Sequence, residues 1–161
     1  KKFANIVNKL SSPLYQAIYP DLAKLWSQDN KKGFVKLGIQ SAFFAGGIAL
    51  TVWVLFLILG DWIIYVSVGS DYSAAYPVLI WYLLAIVIEI FAFPLQPAML
   101  AMGYPKKSFY IHIITTVIYF VALFPLLLFV GLPGAGIAYL IYYVTWTLVM
   151  VFVEFKVLSK V

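Results

Sequence analysis

Glu89 is the only charged residue in an apolar run that extends from Tyr76 to Met102. A carboxyl near the middle of such a run costs about 2.5–3.5 kcal/mol to place in a bilayer unless it is paired, protonated or hydrated. That cost points to ion coupling, with H+ or Na+ as the coupling ion, or to a partner for a lysine elsewhere. A neutral carboxyl hydrogen-bonded between helices is the purely structural alternative. A second polar group, Lys2, Asn5, Lys9, Ser12 and Gln16, recurs at spacings of three and four. It lies opposite Phe3, Ile6, Val7, Leu10, Leu14, Ala17 and Ile18, which makes residues 2–19 an amphipathic helix, with Pro20 expected to interrupt it. Two placements of this helix are open. It lies on the membrane surface with its lysines toward anionic headgroups, or it is a truncated spanning helix whose polar face borders an aqueous cavity.

The rest of the chain offers little catalytic chemistry. It has six acids, one histidine and no cysteine. There is no Gly-x-Ser-x-Gly nucleophile, no His-Glu-x-x-His pair and no pair of carboxylates, and disulfides and thiolate metal sites are excluded. The expectation is a protein that is not an enzyme and carries no cofactor or metal. His112 stands about one turn inside its apolar run, where a lone histidine reads as a hydrogen-bonding interfacial residue. Pro94 and Pro97 remove backbone donors in the run that holds Glu89 and should bend it, and Pro125 is placed to do the same in the next run. Gly46-Gly47 and Gly134-Ala135-Gly136 read as close-packing positions rather than phosphate loops.

The elements that must position these residues are membrane spans. With 65% of residues hydrophobic and 11% charged, a soluble fold of this length would lack polar surface. The apolar residues come in blocks, Phe34–Leu59, Tyr76–Met102, Phe109–Val130 and Ala135–Val153. Each is long enough for a hydrocarbon core of ~30 Å. Gly103-Tyr104-Pro105-Lys106-Lys107 and Gly131-Leu132-Pro133-Gly134 read as tight turns between them. Lys24, Lys31, Lys32 and Lys36 precede the first block, Lys106 and Lys107 separate the second and third, and Lys156 and Lys160 follow the fourth. The intervening loops carry Asp61 and Asp71 and no lysine. Basic loops stay on the cytoplasmic side, so the C-terminus is expected there too. This placement accounts for the net charge of +5 without nucleic acid. Trp62, Tyr65, Tyr72, Tyr76, Trp81, Tyr82, Tyr104 and Tyr110 gather near span ends, as headgroup-level aromatics do, while Tyr142, Tyr143 and Trp146 lie deeper, as packing or cavity residues. The chain begins at Lys1 with no signal-peptide pattern and reads as a piece of a longer polypeptide.

Four stretches occur in an order that carries a resemblance. They are Tyr15-Gln16-Ala17-Ile18-Tyr19-Pro20-Asp21-Leu22-Ala23-Lys24-Leu25, Gly69 to Leu79, Pro97 to Lys107, and Gly131 to Ala138. Together they resemble the C-terminal part of a polysaccharide or O-antigen flippase of the multidrug/oligosaccharidyl-lipid/polysaccharide (MOP) exporter superfamily. The resemblance implies twelve helices in two lobes around a central cavity, with this chain supplying most of helix eight and all of helices nine to twelve. It favours the cavity-lining placement of residues 2–19. It also implies a substrate, a polyprenyl-diphosphate-linked oligosaccharide. On that reading Lys9 meets the diphosphate, with Lys2 above it, and Asn5, Ser12 and Gln16 serve the sugar hydroxyls; the alternative is that Lys9 snorkels to the surface.

The expected fold class is an all-α integral membrane protein, a polytopic helix bundle of four complete transmembrane helices plus one truncated N-terminal helix. The whole of residues 1–161 forms one membrane domain, with a cavity-lining helix at 2–19, a cytoplasmic loop at 20–33 and spans at 34–59, 76–102, 109–130 and 135–155. The expected function is flipping of the lipid-linked sugar across a bacterial cytoplasmic (inner) membrane for surface polysaccharide biosynthesis. The expected partners are that substrate, membrane lipids, the missing N-terminal lobe and the coupling ion. A multidrug/cation antiporter, a lipid II flippase and a non-transport membrane subunit are the alternatives.

Overall fold

Asp29 and Asn30 decide where the first helix stops and the second starts. The computed structural model describes residues 2–68 and 76–159, with side chains from Tyr15 onward, Ile64, Ser67 and Val68 apart. Helix α1 spans Lys2–Ser27 and α2 spans Lys31–Val68. At their junction the Asn30 N–H bonds back to the Leu25 carbonyl and the Asp29 N–H to that of Trp26, both at 3.0 Å. This is a Schellman closure, with Asp29 at φ 54° in the left-handed position. The Asn30 side chain then caps α2, its Oδ1 accepting the Gly33 N–H at 2.9 Å. The expected loop at 20–33 is therefore a short turn between helices. Pro20 does not end α1 as its missing donor predicts. The apolar series continues past it through Ile18, Leu22, Leu25 and Trp26, and burial of Ile18 and Leu22 offsets the local loss of about 3 kcal/mol.

Helix α3 (Tyr76–Ala92) and the short α4 (Leu95–Ala101) together make the second crossing. The break between them falls at Phe93-Pro94. Pro94 has no N–H to give the Ile90 carbonyl, and that oxygen takes the Phe93 N–H instead, at 3.5 Å. The expected bend is thus a break in the helix. Pro125 behaves differently, since α5 (Pro105–Val130) continues through it. The last helix, α6, spans Pro133–Leu158. Gly103 closes α4 at φ 83° in a second Schellman turn, with Tyr104 N–H to Met99 O and Gly103 N–H to Leu100 O. Gly131 turns α5 into α6 at φ 76°.

All regular structure among the described residues is helical, and four segments are long and apolar enough to cross a bilayer: Lys31–Ile63, Tyr76–Ala101, Pro105–Val130 and Pro133–Leu158. At 1.5 Å per residue the 38 residues of α2 reach ~57 Å, well beyond a single hydrocarbon core. The helix carries on past Asp61, the point where its apolar run breaks.

The spans stand side by side in the order α2, α3, α6, α5. Trp53 Nε1 donates to the Ile80 carbonyl at 3.1 Å and the Tyr76 hydroxyl to the Leu57 carbonyl at 2.9 Å, tying α2 to α3. Gly46 lets the Phe91 ring close on α2, and a Cβ there would lie 2.3 Å from it; Gly47 faces open space. Gly136 brings α6 onto the backbone of α3 at Val78 and Tyr82, and Gly134 brings it onto the Leu126 carbonyl of α5. The buried core gathers at one end of the bundle, where Leu22 of α1, Phe34 of α2, Met99 of α4, Ile111 of α5 and Met150 of α6 meet. Lys24, Lys31, Lys106 and Lys156 belong to the helix ends around this core.

Candidate functional site

A concentration of polar side chains lies along α6, where α3 and α5 pack on it. On α6, Tyr139, Tyr142, Tyr143 and Trp146 fall at i, i+3, i+4 and i+7 and share one stripe. On α3, Tyr82 and Glu89 are seven apart, and on α5 His112 and Tyr119 are seven apart, so each pair lies on one face of its helix. The close α3–α6 approach at Gly136 carries the stripes into contact. Tyr82 stacks on Tyr139 with ring centres 4.7 Å apart and planes 13° from parallel. The hydroxyls of Tyr139 and Tyr143 are 3.2 Å apart. Glu89, partly buried on α3, is a neighbour of Tyr143.

His112 and Tyr119 complete the group from α5. His112 Nδ1 lies 3.2 Å from the Tyr142 hydroxyl, and its ring sits 5.2 Å from that of Trp146. Tyr119 presents its edge to Tyr139 and Tyr142 at 6.4 and 6.3 Å. Aromatic pairs at these separations add attraction beyond simple burial. The arrangement offers a carboxyl, five tyrosine hydroxyls and an imidazole within one cluster. Such a set can bind a polyhydroxylated molecule, hold an organic or inorganic cation, or pass a proton along hydroxyls. It contains no activated nucleophile, and no group of three potential metal ligands occurs among the described residues.

The residues singled out from sequence fall apart into two places. Glu89 joins the tyrosine cluster. Gln16 stands exposed on α1, which packs on α2 and α4, and it takes no part in that cluster. The side chains of Lys2, Asn5, Lys9 and Ser12 lie outside the described residues, as do residues 69–75 of the expected outer loop. His112 has the hydrogen-bonding character expected of it, with a partner on another helix. Tyr82, read from sequence as a headgroup-level aromatic, is stacked against α6, although 41% of it remains exposed.

Tyr119, Tyr139 and Glu154 were not singled out by sequence. The seven-residue spacing of His112 and Tyr119, matched by Tyr139 and Trp146 on α6, is the signal that could have found the two tyrosines. Glu154 lies on α6 just past its uncharged run and looks like a flanking acid beside Lys156. In the structure its Oε2 is buried without a hydrogen-bond partner, as are Trp146 Nε1 and Thr147 Oγ1.

No family model, no curated protein and no solved structure matches the chain. Its class rests on its own helices. It is a multi-pass α-helical membrane protein with a polar, tyrosine-rich cluster among its spans.

Proposed function

We propose that the chain is part of a membrane transporter that flips a polyprenyl-diphosphate-linked oligosaccharide from the cytoplasmic to the outer face of the membrane. The observation that carries this reading is the cluster around Glu89, in which Tyr143, Tyr139 and Tyr82 link α6 to α3. Polar residues inside a membrane bundle mark substrate or ion paths. Tyrosine rings and a carboxyl suit sugar, the rings meeting its apolar faces and the oxygens its hydroxyls. The flippase resemblance over four ordered stretches supplies the substrate class. On this reading α1 borders the cavity and Lys9 meets the diphosphate. On the same reading the membrane is a bacterial inner membrane, and the lysine alternation supports a cytoplasmic C-terminus.

The test is complementation with the full-length gene in a bacterium deleted for its own polysaccharide flippase. Restored surface polymer, with loss of the lipid-linked repeat units trapped inside, is the expected result. Failure in a well-expressed protein, across several glycan backgrounds, would overturn it. One feature favours a second reading, a cation antiporter: a carboxyl ringed by tyrosines also accepts an organic cation. Efflux of a fluorescent cation that is abolished by Glu89→Gln would select it.

A further inference from the structure

α2 and α6 both pack on α3 without packing closely on each other, and a crevice of about 570 Å³ opens between them. Its walls are almost wholly apolar, with Phe34 and Ile39 on α2, Phe91 on α3 and Val151 and Phe155 on α6. α4 and Leu22 of α1 close it toward the lysine end. Thr147 and Glu154 are the polar side chains among its lining residues. Gly38 lies on its wall, and a Cβ there would meet nothing within 4 Å.

A second depression, of about 590 Å³, adjoins the first and shares Val35, Ile39 and Leu158 with it. Its surface is mostly apolar as well, but the residues that form it carry charge, because Lys31, Lys32 and Lys36 line it together with Gln40. Lys31 lies 3.7 Å from Asp29, while Lys32 and Lys36 form no ion pair among the described residues. An apolar slot that adjoins a surface built from three lysines has the polarity of a lipid with an anionic head. We infer that this is a binding site for one anionic phospholipid of the leaflet on the lysine side. One acyl chain lies in the crevice between α2 and α6, and the phosphate sits among Lys31, Lys32 and Lys36. Basic pockets between transmembrane helices recognise anionic headgroups in this way, and the volume falls in the range of ~300–1,000 Å³ usual for ligand pockets.

Lysines at membrane ends attract anionic lipid without any pocket, and Lys106 and Lys107 provide the comparison. They sit at the start of α5, where Lys107 lies over the Tyr104 ring at 4.0 Å, and they line neither depression. Surface attraction alone would make the two lysine groups equivalent. A built site makes them different.

The experiment is native mass spectrometry of the full-length protein released from detergent, titrated with phosphatidylglycerol, with phosphatidylcholine of the same chains, and with inorganic phosphate. One phosphatidylglycerol should be retained with at least tenfold preference over phosphatidylcholine, and free phosphate should not be retained. The triple variant Lys31→Gln, Lys32→Gln, Lys36→Gln should lose that preference. Gly38→Leu, or Ala42→Leu should the first variant not fold, fills the crevice and should lower retention with every lysine in place. Lys106→Gln with Lys107→Gln should bind as the parent does. Equal binding of both lipids, equal loss in the two lysine variants, or full retention in a folded crevice-filled variant would each overturn the site. Lipid retention is read without transport, so the result stands apart from that of complementation.

Discussion

Glu89 and Tyr143 come from different helices, and neither makes chemical sense alone. A carboxyl inside a span costs energy that only partners or water can offset, and Tyr143 on α6 is its neighbour. Glu89→Gln keeps the shape and a hydrogen-bonding end and removes the ionisable group. If Glu89 couples an ion to transport, this variant should abolish ion-driven transport in vesicles, and undiminished transport would remove it from that role. Tyr143→Phe keeps the ring and deletes the hydroxyl that pairs with that of Tyr139. Loss of such a bond is worth about 1 kcal/mol, so transport should fall roughly five- to tenfold if the cluster binds substrate. Tyr110→Phe, whose ring is 62% exposed, is the control and should leave transport unchanged.

At the scale of the element, glycines set how near the helices come. Gly46 and Gly47 are neighbours on α2 with opposite surroundings. Gly46→Ala would press a methyl into the Phe91 ring and should destabilise by about 1–3 kcal/mol. Gly47→Ala meets nothing and should be neutral, or stabilising by up to ~1 kcal/mol through helix propensity. Thermal unfolding of the two variants in detergent separates them, and equal melting points would contradict the α2–α3 packing. Gly136→Ala belongs to the same class with a larger consequence. Its Cβ would lie 2.8 Å from that of Trp81 and 2.9 Å from the Val78 carbonyl. Backbone cannot yield as a ring tip can, so α6 must move away from α3. The Tyr82–Tyr139 stack should loosen with it, which tyrosine quenching or cross-linking would register.

At the scale of the whole molecule, successive spans alternate in direction, with tight turns at Gly103 and Gly131. α3 and α6 therefore run the same way, and this is why Tyr82 and Tyr139, each six residues beyond the first residue of its helix, lie at matching depth. The lysine distribution gives the bundle a direction. Because the chain has no cysteine, single cysteines report cleanly. Lys107→Cys should react with an impermeant thiol reagent only from the cytoplasmic side, and Leu132→Cys only from outside. Labelling of both from one side would break the proposed topology. The core at the lysine end and the sparse packing toward the opposite end also divide the molecule by rigidity. The termini of α5 and α6 near Gly131 should exchange amide hydrogens sooner than the segment around Met150.

Hydropathy is additive along a chain, so the number and type of spans could be read from residues in sequence. The blocks at 34–59, 76–102, 109–130 and 135–155 coincide with helices in the structure, the second divided by Pro94. A proline's local effect was less readable. Pro94 breaks a helix, while Pro20 and Pro125 lie within continuous ones, because packing on both sides decides whether one lost donor is tolerated. Glu89 was legible as an anomaly, an acid where the solvent is lipid. Its partners were not, since Tyr139 and Tyr143 are fifty and more residues away, and even Tyr143, which reads as a packing or cavity residue, carries no sign of which helix it faces. Glu154 was hidden by position, reading as a flank beside Lys156 when it lines an apolar crevice. One-dimensional pattern thus determined which segments leave water for lipid. Only the tertiary structure decided which faces meet, because a helix face becomes a site through the residues another helix brings to it.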